Sequence, residues 1–250
     1  MSILDAFDGV TEEILKPYHT SPPVEGFPKT VIMVFEPVVI DILKTLCPVE
    51  EISGMTSGFW IPIYRFAYQG QSLGAFLSTV GGPAAAGLME ETLAKGAEKI
   101  LLFGACGVLD KSLAAGHLIL PTAAYRDEGT SYHYLPPSDY VEIPTAKRLG
   151  EIFDSLHIPY VYGKPWTTDA IYRETRANAE ARRRDGCLTV EMECASVMAA
   201  GQFRNVPVYQ FLYAEDSLDG GAWDARTWHG VPQSSYEKYL QIALETAVQL

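Results

Sequence analysis

Two carboxylates stand two residues apart in Thr189-Val190-Glu191-Met192-Glu193-Cys194-Ala195, with a methionine between them and apolar neighbours on both sides. Acidic side chains are rarely left in such surroundings without a partner. The vicinal hydroxyls of a sugar are one such partner, since an ionised carboxylate accepts two hydrogen bonds from them. The alternative is a helix start, with Glu191 complementing the macrodipole and Glu193 facing water. A second acidic cluster, Ala214-Glu215-Asp216-Ser217, follows an apolar run over residues 208–213. Acids at the carboxyl ends of neighbouring strands are where α/β sheets place ligands; Asp216 as the N-cap of a following turn is the competing reading. A third group, Gly104-Ala105-Cys106-Gly107, reads as a turn after the strand at 99–103 and is small enough for close backbone approach to a ligand.

These residues need elements to carry them. Residues 30–35 are β-branched and apolar, suited to a buried strand, and residues 38–46 follow with a helical look. Residues 59–68 and 73–80 flank Gln69-Gly70-Gln71 as a hairpin. Pro83 near the start and Gly96 at the end bracket an alanine-rich helix over residues 84–95. Further strands are expected at 99–103, 117–121, 123–126, 160–166 and 208–213, with helices at 145–156, 173–185, 192–203 and 234–250. The alternation points to an α/β fold around a central sheet. No linker or repeat divides the chain, so a single domain over residues 1–250 is expected, with 1–28 as an N-terminal arm.

Composition narrows the function. The 250 residues are 48% hydrophobic and 20% charged, as in a globular domain with a buried core. A formal net charge of -12 argues against nucleic-acid binding, which needs a basic surface. Cys47, Cys106, Cys187 and Cys194 show no C-x-x-C spacing; they read as reduced thiols of a cytoplasmic protein, and no metal site is expected. The acidic N-terminus (Asp5, Asp8, Glu12, Glu13) has no long apolar run, so neither a signal peptide nor a membrane span is expected. His133 lies in the polar, aromatic loop from Arg126 to Tyr134, and Arg182-Arg183-Arg184 reads as a solvated helix face.

Six stretches in this order resemble the nucleoside phosphorylase superfamily, most closely its uridine phosphorylase-like branch. They are Gly81-Gly82-Pro83-Ala84-Ala85 with the Gly104 to Gly107 segment, Gly116 through Ala123, Arg126 through Tyr134, Trp166 through Ala170, Val190 through Glu193, and Ala214 through Leu218. The resemblance runs from about Thr30 to the C-terminus. It implies a three-layer α/β/α domain with a mixed, partly barrel-like sheet, and homo-oligomers, as dimers or hexamers built from dimers. The implied reaction is cleavage of a nucleoside's N-glycosidic bond by phosphate, a co-substrate rather than a cofactor. The transition state resembles an oxocarbenium ion, which calls for negative charge near the ribose and help for the departing base.

By matching position, the resemblance implies Glu193 on the ribose 2′ and 3′ hydroxyls, Met192 against the sugar and Glu191 lining the same pocket. It implies Ile171 and Tyr172 on the base, with Asp216 protonating or hydrogen-bonding it, and His19 reaching a neighbouring subunit's 5′-hydroxyl. The chain departs from the pattern at the phosphate. Phe35-Glu36-Pro37-Val38-Val39 stands where glycine and arginine are usual, Leu102 replaces a second arginine and Phe59 a third. Replacement groups are Arg65, Arg126 and Arg173. Three readings stay open: a phosphorylase of uridine or a purine nucleoside, a hydrolase in which Glu36 activates water, and a nucleoside-binding protein without turnover.

Overall fold

The computed structural model describes residues 2, 4, 7–220 and 222–250. The expected arm over residues 1–28 falls partly outside them: residues 1, 3, 5 and 6 are not described. In chain order the elements are α1 (Pro17–Thr20), β1 (Thr30–Val34), α2 (Pro37–Leu46), β2 (Val49–Thr56), β3 (Trp60–Tyr68), β4 (Gln71–Leu77) and α3 (Gly82–Lys95). The second part holds β5 (Lys99–Val108), β6 (Leu118–Pro121), β7 (Ala123–Asp127), β8 (Tyr140–Glu142), α4 (Thr145–Ser155), β9 (Val161–Gly163) and β10 (Pro165–Thr168). The last part holds α5 (Arg176–Arg184), β11 (Thr189–Glu191), α6 (Cys194–Phe203), β12 (Val208–Ser217) and α7 (Gln233–Ala247).

All twelve of these strands join one mixed sheet, in the order β2-β3-β4-β1-β5-β11-β10-β7-β8, with β12 on β5 and β6, and β9 on β6. Strand β5 is the hub. Its first part runs parallel to β1 and β12, and its last two residues pair antiparallel with β11, through Thr189 on Val108 and Val190 on Gly107. This fork curls the sheet. Helices cover both faces, giving three layers. Apolar residues of α3 and α6 pack with Val31, Met33, Ile100, Leu102 and Val208 on one face. Residues of α2, α4 and α7 pack with Ile32, Val34, Leu101, Phe103 and Phe211 on the other. Alternation along each strand produces the two cores.

Several expected elements differ. The Gly104 to Gly107 segment is not a turn but the second half of β5, where the glycines let Phe35 and Asp216 come close against the strand. The strand expected at 160–166 is two short ones, β9 and β10. The helix expected from 173 begins at Arg176, after a 3-10 turn over Ile171–Arg173 and a Thr175 cap. Among the described residues, no helix is long and apolar enough to cross a membrane.

Candidate active site

The two acidic segments converge on one cleft of about 530 Å³. It opens along the carboxyl ends of β1, β5 and β12 and at the start of α6. Helix α6 is buried along most of its length, so its first N–H groups need protein acceptors. Glu191 supplies them: its Oε2 accepts from the N–H groups of Glu193 at 2.8 Å and Cys194 at 2.7 Å. Its Oε1 accepts from Thr167 Oγ1 at 2.5 Å, and that hydroxyl in turn accepts from Ala195 N–H at 3.0 Å. Glu191 therefore lines the cleft with both oxygens engaged by protein, and it aims the two residues that follow.

Glu193 is 8% exposed, and its Oε1 accepts from Gly81 N–H at 2.6 Å. Gly81 takes φ +104°, a conformation unfavourable for other residues, and so turns that N–H toward the carboxylate. Burial pushes the Glu191 and Glu193 carboxyls well above the usual carboxylate range, and for Glu193 the neighbouring Glu191 charge adds to it. Met192 lies beside them in the cleft wall.

At one end stands Asp216, within β12 rather than at a helix cap, with Oδ2 accepting from Trp223 Nε1–H at 2.6 Å. Its other oxygen lies against Gly107, where an added Cβ would meet it at 3.1 Å. Ile171, Tyr172 and Glu174 line the same end. Burial, reinforced by the Asp216 charge, raises Glu174 to about 7. The other end is formed by Phe35, Glu36, Ala105, Gln210 and Glu215. Glu36 precedes α2 without a side-chain capping bond, and burial raises its pKa. Glu215, 7% exposed, is raised to about 7 by burial and then by the Glu36 charge.

The cleft thus gathers Glu191, Met192, Glu193, Ile171, Tyr172, Asp216 and Glu36. It does not gather the three arginines expected as phosphate groups. Arg126 is buried beside Tyr132, donating to Ser131 Oγ at 2.7 Å and to the Pro136 carbonyl at 2.7 Å, and so ties its own loop together. Arg65 pairs with Glu50 at 2.6 Å on the β2–β3 ribbon. Arg173 is exposed on the 3-10 turn and is not among the residues that line the cleft. Among the described residues lining the cleft there are six carboxylic side chains and no Lys, Arg or His. His19 lies on α1, its Nδ1 accepting from Lys16 N–H at 3.2 Å, outside this chain's own cleft.

Sequence reasoning missed Glu174, Gln210, Trp223 and Trp228 as cleft residues. Gln210 carried a signal, being the one amide in an apolar strand; the others sit in polar segments that give none.

A family model described as the phosphorylase superfamily matches residues 30–247. Guanosine phosphorylase of Halorubrum lacusprofundi is 28% identical over 193 residues, covering 74% of this chain and 77% of its own. Purine nucleoside phosphorylase of Toxoplasma gondii, solved with immucillin-H, superposes with a TM-score of 0.77 at 21% identity, over 96% of this chain and 98% of the other. AMP nucleosidase of Bacteroides thetaiotaomicron superposes with a TM-score of 0.72 at 19% identity, over 93% and 92%. The two structural likenesses concern the fold, whereas the family match spans every element from β1 to α7. This chain belongs to the phosphorylase superfamily.

Proposed function

We propose that this protein is a nucleoside phosphorylase-type enzyme, a pentosyltransferase that cleaves the N-glycosidic bond of a nucleoside with phosphate as nucleophile. The observation that carries the reading is the alignment of three groups along one cleft. Asp216 stands at the base end, Glu193 and Met192 in the middle, and an open pocket at Phe35, Glu36 and Ala105 beyond them. Glu193 receives the ribose hydroxyls through its carboxyl group, which fixes the sugar beneath the base. Met192 packs on the sugar, while Glu191 holds the start of α6 in place beneath them. Ile171 and Tyr172 flank the base, and Asp216 hydrogen-bonds it through the oxygen not held by Trp223 as the glycosidic electron pair departs with it.

A purine nucleoside suits the base end best. Asp216 and Glu174 present two carboxyl groups there, and no arginine of the described lining residues joins them to read a uracil. The guanosine phosphorylase among the relatives supports the same choice. Homo-oligomerisation is part of the proposal. Phe59 and Trp60 are more than half exposed on the β2–β3 ribbon, an apolar surface suited to a second copy.

One observation favours a second reading. The described cleft lining has no cationic side chain to hold a phosphate dianion, and Glu36 is placed to take a proton from water; a hydrolase of the same fold follows from that. The test is release of free base from inosine, guanosine, adenosine and uridine at graded phosphate. Phosphorolysis predicts a rate that rises from near zero with phosphate. A rate indifferent to phosphate would transfer the assignment to the hydrolase, and binding without release would leave neither.

A further inference from the structure

Gln210 is a buried polar side chain with an unpaired acceptor. It is 3% exposed, yet its carboxamide oxygen has no hydrogen-bond partner among the described residues. It sits on β12 directly beside Leu102 of β5, on the sheet face covered by α6, and its side chain lines the cleft near Phe35 and Ala105. An orphaned carbonyl in a core is costly, and an apolar residue of similar shape would be the better choice for stability alone. Glu215, 7% exposed, lines the same cleft.

Both groups line the cleft that also holds Glu36, whose charge acts on Glu215. Together they present oxygen acceptors and, from Gln210, one neutral N–H2 donor. An acceptor-rich pocket of this kind takes a ligand that brings its own proton.

We propose that Gln210 binds and orients the attacking species of the glycosidic cleavage, its carbonyl accepting a hydrogen bond from an O–H of that species and its N–H2 donating to one of its oxygens or a neighbouring one. The inference rests on the nucleoside-cleaving reading and adds to it the group that places the nucleophile. Monohydrogen phosphate and water share the required chemistry, an O–H on the attacking species. In either case the new C–O bond forms at the anomeric carbon as the C–N bond breaks. The C–N electron pair leaves with the base, which takes a proton by way of Asp216; water gives its second proton to a carboxylate of the pocket, whereas monohydrogen phosphate attacks through an unprotonated oxygen and keeps its O–H on Gln210.

The experiment compares wild type with Gln210→Met, and with Gln210→Leu as a second shape, using guanosine with inorganic phosphate and without it. In the phosphate arm, kcat/KM for phosphate should fall at least tenfold. In the phosphate-free arm, any hydrolytic kcat should fall by the same factor. The KM for guanosine should stay within twofold in both arms, and Tm should hold or rise because an unpaired carbonyl has been removed. A folded variant with unchanged nucleophile kinetics would overturn the assignment, as would a rise in the guanosine KM matching the loss of rate. A wild-type protein inert toward every nucleoside would overturn the functional reading and this assignment together, whereas an active wild type with an unaffected variant would overturn this assignment alone.

Discussion

Replacing Glu191 with Ala separates the positioning role of this residue from ribose binding. Its carboxylate accepts three hydrogen bonds, two of them from N–H groups at the buried start of α6. Alanine leaves those two donors without an acceptor, at about 1–3 kcal/mol each, and opens a small cavity. Relief of the burial penalty on the carboxylate, visible in its raised pKa, offsets part of this. A net loss of about 3–4 kcal/mol follows, which for a chain of this size corresponds to a Tm lower by roughly 6–16 °C. Glu191→Gln keeps the volume and one acceptor oxygen for the two N–H groups, so it should cost about 1 kcal/mol or less. Thermal and urea unfolding followed by circular dichroism measure both. A Glu191→Ala protein within 1 kcal/mol of wild type would refute the capping argument. Equal losses in both variants would show that charge, not acceptor geometry, holds α6.

The other variants probe the chemistry. Glu193→Gln should lower kcat/KM for every cleaved nucleoside alike, by about 10–100-fold, because ribose is common to all and one charge-assisted contact is weakened; a loss confined to one base would contradict it. Asp216→Asn should reduce purine cleavage by about 10²–10⁴-fold, the range for a proton-handling group, with unchanged turnover ruling that role out. The raised carboxyls also make stability depend on pH. Glu215 binds its proton more tightly folded than unfolded, so its contribution is full below about 4.5 and is lost as pH rises through about 7. Glu215→Gln should therefore gain on wild type by about 1–3 kcal/mol between pH 5 and pH 8. A pH-independent difference in urea unfolding would show that Glu215 does not titrate in this range.

The strands and helices that carry the core were legible because apolar periodicity encodes them locally. Strand β2 was not: Glu50 and Glu51 break its pattern, and a register shift between Glu51 and Ser53 interrupts the alternation. The Gly104 to Gly107 segment read as a turn because glycine usually marks one. Here its lack of side chains lets Asp216 and Phe35 approach β5. At the site, residue types announced Glu193 and Asp216, but the tethering of Glu191 by Thr167 joins residues 24 apart and could not be read from spacing. Arg126 shows the opposite failure. A charged residue in a polar loop reads as a ligand group, whereas its hydrogen bonds close onto carbonyls of the same loop.

We infer that the cleft between Asp216 and Glu36 breaks the bond between a nucleobase and ribose. Incubating the protein with guanosine and phosphate, and identifying both products by chromatography and ³¹P NMR, tests this. Free guanine together with ribose 1-phosphate is expected. Intact guanosine, with inosine, adenosine and uridine equally untouched, would contradict it.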